Sequence, residues 1–221
     1  MYTSPHALLL LTSFFVTSLG APTHNSLLNR ADVTATQIQK FAPGSATCAA
    51  GGQFADECRT ADQVVPLLND AFNEFGIATV GERAAIASLM SFETGDFKFD
   101  RNHFPPPGKP GQGTRNLMTF PFIMKYAQNT TATAAKADAL SPNPATADDA
   151  TKNAVLALML PDDLSFASAS WFYTNQCDQS IVQGLQSATE SGWENYITEC
   201  VGTTVTDDRK TAYLAALSAM S

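Results

Sequence analysis

The chain has 221 residues, of which 44% are hydrophobic and 15% are charged, and its formal net charge at pH 7 is −8. This composition is that of an ordinary globular protein, so it excludes an extensively disordered chain and a membrane-embedded bundle. The excess of acidic residues argues against nucleic acid as a partner.

The N-terminal segment predicts a secreted protein. Residues 1–21 contain the apolar run LLLLTSFFVTSL and end in small residues, which indicates a signal peptide, although a basic residue near the start is missing. The alternative, an N-terminal anchor, is disfavoured because the run is short for a membrane span. We interpret residues 22–47 as a pro-segment or flexible arm, with Arg30 as a candidate processing point, and residues 48–221 as the folded domain.

The cysteines fit a secreted chain with two disulfides. Four cysteines allow three connectivities, and we favour the local one because each pair brackets a short segment. That connectivity joins Cys48 to Cys58 and Cys177 to Cys200. A zinc site is disfavoured, because the spacings do not fit and His103 is the only histidine in this region. Asn129 begins an N-glycosylation sequon, which predicts an exposed, glycosylated loop.

Apolar residues recur at helical spacing over most of the chain, which predicts a mainly α fold. The first predicted helix, Ala61–Phe75, contains Pro66, which a helix tolerates near its first turn. Later helices are predicted from Asn116, over Ala145–Leu160, from Pro161, over Ser180–Glu199 with a break at Gly192, and from Thr206 through Leu217.

One predicted helix ends in a carboxylate. Thr79 and Glu82 have the spacing of a capping box, and Gly95 can end the helix. Between them, apolar residues form one face whose next position is Glu93. Burial and the negative end of the helix dipole would both raise the pKa of Glu93, which a general acid requires. The alternative is a side chain that bends out to water.

The segment after this helix has no helical period. Phe97, Phe99 and Asn102–Phe104 alternate as a short strand would, and Gly108–Gly113 indicates a turn-rich return. The words SFETGDF and GTRNLM, in this order, resemble the signatures of the lysozyme-like superfamily of glycoside hydrolases, and secreted fungal muramidases most closely. The resemblance implies a mainly α domain with a small β-hairpin lobe next to the catalytic helix.

The resemblance also implies site residues. Glu93 would protonate the glycosidic oxygen, and Asp100 or Asp96 would activate water or stabilise positive charge, although Asp96 can instead cap the turn at Gly95 and a mechanism with Glu93 alone stays open. The predicted substrate-binding residues are Arg101, His103, Arg115, Asn116 and Tyr173. No metal or cofactor is predicted.

The function implied is cleavage of a β-1,4-linked amino-sugar polymer by residues 48–221, with peptidoglycan as the first choice. The stretch from Arg101 to Lys136 contains basic but no acidic residues, which suits an anionic polymer. The alternatives are a chitosanase or chitinase with the same acid, and a non-catalytic carbohydrate-binding effector. We expect a secreted monomer that degrades cell walls and contacts neither membrane nor nucleic acid.

Overall fold

The computed structural model describes Met1 and residues 32–221, and the predicted signal peptide and Arg30 lie outside the described residues. The described chain is mainly helical, as predicted. Its helices are α1 (Ala35–Phe41), α2 (Ala61–Glu74), α3 (Val80–Glu93), α4 (Phe120–Asn129), α5 (Ala134–Leu140), α6 (Asp149–Leu158), α7 (Asp162–Gln176), α8 (Gln179–Gln186), α9 (Glu190–Asn195) and α10 (Asp207–Met220). A π-helical turn, Tyr196–Cys200, follows α9. Within this part of the chain, no helix is long and apolar enough to cross a membrane.

Helix α3 lies at the centre of the fold. The predicted capping box is present, since the Thr79 side chain accepts from the Glu82 amide and the Glu82 carboxylate accepts from the Thr79 amide at 2.9 Å. Gly95 ends the helix with a φ of +59°. Every residue from Gly81 to Ser91 is buried, rather than one apolar face, because other helices surround α3.

Two hydrophobic clusters form the core. The first surrounds α3 and takes residues from α1, α2 and α7 to α10, and the second packs α4 and α6 against α7. Ile38 and Phe41 of α1 are buried in the first cluster. The folded unit therefore includes part of the segment 22–47, upstream of Cys48.

The predicted β-hairpin lobe is not confirmed. Within the described residues, β structure is limited to two isolated antiparallel bridges, both made by Gly113. The segment 96–118 instead wraps around the guanidinium of Arg115, which donates to the carbonyls of Phe97 and Phe99 at 3.0 Å each. The alternation that suggested a strand is broken at Phe97, whose φ of +64° is incompatible with extended backbone.

Both disulfides have the favoured local pairing. The Cα atoms of Cys48 and Cys58 lie 5.8 Å apart, and those of Cys177 and Cys200 lie 5.1 Å apart. The second bond ties the end of α7 to the π-helical turn.

Several helix details differ from the predictions. Helices α1 and α5 were not predicted, and α6 begins at Asp149 rather than Ala145. Helix α4 begins at Phe120 rather than near Asn116, and Pro66 is the sixth residue of α2 rather than near its first turn. The break between α8 and α9 precedes Gly192, because the side chain of Thr189 caps the new helix by accepting from the Gly192 amide.

Candidate functional site

A groove opens at the C-terminal end of α3, with a cavity volume of about 390 Å³. This volume lies in the range of roughly 300–1,000 Å³ that small-molecule sites occupy. Its apolar lining residues include Leu89, Leu117, Met118, Phe122, Phe172 and Val201. Its polar lining residues include Glu93, Lys109, Gln112, Asn116, Tyr196, Thr203 and Arg209. The groove is therefore lined by both apolar and polar side chains.

Glu93 lies in this groove and is paired with a cation that the sequence analysis did not identify. Its Oε1 accepts a hydrogen bond from Arg209 Nη2 at 3.1 Å, and the two side chains are 23% and 16% exposed. Arg209 also donates to the carbonyl of Thr204, and its guanidinium lies 4.7 Å from the ring centroid of Phe92. Helix α10 thus supplies a cation that fixes Glu93 at the groove edge.

Polar atoms of the lining residues have unused hydrogen-bonding capacity. Burial, and then the charge of Glu93, raise the pKa of Tyr196, so its hydroxyl stays protonated at neutral pH. Gln112 Oε1 and Arg209 Nε are buried and form no hydrogen bond with other described residues. Buried polar groups usually have a partner, so unpartnered atoms along one groove indicate where an oxygen-bearing ligand can bind.

Three of the predicted site residues form a separate cluster around the buried side chain of Glu57. His103 Nε2 lies 2.9 Å from Glu57 Oε1, the Asp100 amide donates to Glu57 Oε2, and Arg101 Nε lies 3.3 Å from Glu57 Oε1. The His103 ring stacks on Phe54 with 3.5 Å between centroids. Burial, and then the charge of Glu57, raise the pKa of Asp100.

Asp100 belongs to this cluster and not to the groove, so the structure does not bring it together with Glu93. Sequence reasoning missed Glu57, which directly precedes Cys58 and belongs to no recognised motif. It also missed Arg209, which lies 116 residues from Glu93 along the chain. Neither residue carries a local signal that could have revealed its partner.

Asp96 and Asn116 have defined local roles. Asp96 accepts from the Ser91 hydroxyl at 2.9 Å and from the Gly44 amide at 2.7 Å, which fixes the turn after α3, as its alternative interpretation proposed. Asn116 lines the groove, and its Oδ1 accepts from the Ser168 hydroxyl at 2.8 Å.

Arg115 and Tyr173 lie in the framework behind the groove. Arg115 is fully buried, and this burial lowers its pKa to about 10. Tyr173 is buried in the core, where its hydroxyl donates to Glu82 at 3.0 Å. Neither side chain lines the groove. Asn129, the predicted glycosylation site, is exposed at the end of α4.

The described residues do not form a metal site. Among them, no group of three or more His, Cys, Asp or Glu side chains is arranged to hold a metal ion, and all four cysteines are disulfide-bonded.

No protein-family model matches the chain, and no solved structure matches it significantly. Among curated proteins, the chain is 33% identical over 141 residues to a "bifunctional dioxygenase (DOX)-epoxy alcohol synthase (EAS)" of Fusarium oxysporum (strain Fo5176). The match covers 64% of this chain and 11% of the relative, so the chain matches about a tenth of the relative's length.

This similarity contradicts the resemblance to the lysozyme-like superfamily. The predicted glycoside hydrolase activity is wrong, whether as a muramidase, a chitosanase or a chitinase. The alternative of a non-catalytic carbohydrate-binding effector, the polysaccharide partner and the cell-wall role are wrong as well. The two sequence segments on which the resemblance was based have structural roles in this protein. SFETGDF contains Asp96, which fixes the turn after α3, and GTRNLM contains the buried Arg115. The oxidative activities in this name are stated of the relative.

Proposed function

We propose that the groove beside α3 binds an amphipathic small molecule, one with an apolar chain and oxygen-bearing polar groups. The observation that carries the proposal is the juxtaposition of an aromatic wall, Phe122 and Phe172, with the ion pair of Glu93 and Arg209 in one cavity. A purely apolar ligand would leave the polar side unmatched, and a purely polar one would leave the aromatic wall in water.

The aromatic wall supports an apolar chain. Phe122 and Phe172 meet edge to face, with 5.0 Å between ring centroids, so the wall is a fixed surface. Phe122 is only partly buried, and a ligand chain lying on it would remove apolar surface from water. Each square ångström removed is worth about 25 cal/mol.

The polar side supports oxygen functions. The Tyr196 hydroxyl is a donor that stays protonated, and Lys109 and Arg209 supply basic side chains in the same lining. With Glu93 as the only acidic lining residue described, the formal charge of the lining is positive, although the whole chain is acidic. Hydroxyl, epoxide or carboxylate oxygens would find donors there.

The similarity to an oxidative enzyme supports this ligand class. The relative's name states that it is a dioxygenase and an epoxy alcohol synthase, and an epoxy alcohol carries its oxygen in a ring and a hydroxyl group. The match covers 11% of the relative, so the proposal takes only the ligand class from it and concerns ligand binding alone.

We also propose that the chain is secreted. Two disulfides and the N-terminal apolar run support this location, because disulfides persist in oxidising compartments. Expression of the full chain in a eukaryotic host, followed by mass measurement of the medium before and after removal of N-glycans, tests secretion and use of Asn129 together. A product retained in cells would contradict the proposal.

Calorimetric titration with 12-hydroxydodecanoic acid tests the binding proposal. Phe122→Ala removes part of the aromatic wall and should weaken binding about tenfold, the effect of losing a well-packed apolar contact. Phe104→Ala is the matched control, since Phe104 is 61% exposed and lies outside the groove lining. Failure of the wild type to bind up to the solubility of the acid, or equal weakening by both variants, would overturn the proposal.

A further inference from the structure

A second cavity, of about 250 Å³, adjoins the groove. The two share Lys109 and Gln112 in their linings, so one ligand can occupy both. We infer that this second cavity binds a carboxylate, and that the ligand of the groove is a hydroxylated or epoxidised long-chain carboxylic acid. The inference rests on the proposed function and adds the position and chemistry of the ligand's anionic end.

The charge of the second cavity favours an anion. Its lining contains Arg101 and Lys109 and, among the described residues, no acidic side chain. Two carboxylates that contact Arg101, Glu57 and Asp100, are only 4% and 7% exposed and are not part of the lining. A ligand therefore meets the two cations, while the two carboxylates remain shielded from it by protein.

The orientation of Arg101 suits bidentate binding. Its Nε is used inside the protein, 3.2 Å from Asp100 Oδ1 and 3.3 Å from Glu57 Oε1. Its two Nη atoms form no hydrogen bond with other described residues, and the side chain is 43% exposed. The edge formed by the two Nη atoms is thus available, and its planar fork matches the two oxygens of a carboxylate.

The backbone holds Lys109 in place. The Lys109 amide donates to Asn102 Oδ1 at 3.0 Å. The preceding Gly108 has a φ of +89°, and a Cβ there would lie 2.0 Å from the Asn102 carbonyl oxygen, so only glycine permits this close return of the loop. The Lys109 side chain is consequently presented at the junction of the two cavities, where it can contact a carboxylate whose chain lies in the groove.

The test compares two ligands that differ only in the charged end. 12-Hydroxydodecanoic acid and 1,12-dodecanediol have the same chain length, and the diol lacks the carboxylate. At neutral pH the wild type should bind the acid about tenfold more tightly than the diol, as one charge-assisted hydrogen-bonded contact would give. Added salt should weaken binding of the acid and leave binding of the diol nearly unchanged.

Charge-removing variants locate the contact. Lys109→Gln and Arg101→Gln should each reduce the preference for the acid severalfold, with little effect on the diol. Lys136→Gln, an exposed lysine outside both cavities, is the matched control and should preserve the preference. Arg101 also neutralises the charge of the buried Glu57, so a melting curve must show that Arg101→Gln folds. If Arg101→Gln does not fold, Lys109→Gln alone is the test.

The outcomes separate this inference from the proposed function. If acid and diol bind equally and Phe122→Ala weakens both, the groove proposal stands and the carboxylate inference is overturned. If neither ligand binds, the proposed function fails, and the inference fails with it. If the acid is preferred but the preference survives in Lys109→Gln and in folded Arg101→Gln, the carboxylate lies elsewhere and the inference is again overturned.

Discussion

Replacing Arg209 with methionine should destabilise the protein measurably, because this side chain joins α10 to the end of α3. Its Nη2 binds Glu93 at 3.1 Å, and its guanidinium lies over the ring of Phe92. Methionine keeps much of the apolar stem but removes the charge. Glu93 would then stand in the groove without its cation.

The size of the effect follows from the partial burial of the pair. Exposed ion pairs contribute about 0–1 kcal/mol, while breaking a buried pair costs about 3–5 kcal/mol. Glu93 and Arg209 are 23% and 16% exposed, so the pair is partly buried. The cost of breaking it should therefore lie between these two limits. With about 0.5–1 kcal/mol for the cation–π contact at the partly exposed Phe92, we expect a loss of about 2 kcal/mol. For a chain of this size, that lowers Tm by about 4–8 °C.

The assay is urea unfolding followed by tryptophan fluorescence. Lys210→Met is the control, because Lys210 is the next residue of α10 and pairs with Glu190 at the surface, where we expect a change of at most about 0.5 kcal/mol. The double variant Arg209→Met/Glu93→Gln should recover about 1 kcal/mol relative to the sum of the single changes. Equal effects at Arg209 and Lys210, or strict additivity with Glu93→Gln, would refute the reasoning.

Three further predictions concern the framework. The pKa of Asp100 is raised in the folded protein above the ordinary 3.8, so the folded state binds more protons at this group. The contribution of Asp100 to stability is therefore fully present below 3.8 and is lost as pH rises through the folded pKa. Asp100→Asn should remove this contribution from urea titrations between about pH 3 and pH 7, and an unchanged pH dependence would contradict the assignment. Arg115→Met should cost about 3–5 kcal/mol, since it removes the guanidinium that donates to the carbonyls of Phe97, Phe99 and Glu57. A loss below about 1 kcal/mol by urea unfolding would show that these bonds matter little. Removing the bond between Cys177 and Cys200 by a double change to serine should cost about 3 kcal/mol for its 23-residue separation, and an unchanged Tm under non-reducing conditions would show that the bond does not stabilise the fold.

Local patterns were predictable from the sequence. The capping box of Thr79 and Glu82, the helix end at Gly95 and the helical periods each depend on residues within one or two turns of each other. The two disulfides were predictable for the same reason, because each joins neighbouring parts of the chain. From these local features, the helical fold class and most helix positions could be predicted.

The site was not predictable, because its contacts join distant residues. Arg209 reaches Glu93 from 116 residues away, and Glu57 gathers His103 and Asp100 from 46 and 43 residues away. The alternation around Phe97 suggested a strand, but a positive φ and the buried Arg115 impose a turn instead. Hydrophobic periodicity indicates which residues of a helix or strand are buried. It does not indicate that a buried Arg115 binds the backbone of the loop after α3.

The central claim is that the groove beside α3 holds an amphipathic ligand. A two-dimensional NMR titration of isotope-labelled protein with 12-hydroxydodecanoic acid tests it most directly. We predict that the amide and methyl signals that move are those of the groove lining, including Leu117, Met118 and Thr203, while Val205 and Leu140 outside the lining stay unchanged. Saturable shifts confined to those lining residues would support the claim. No shifts, or shifts centred on residues outside the groove, would contradict it.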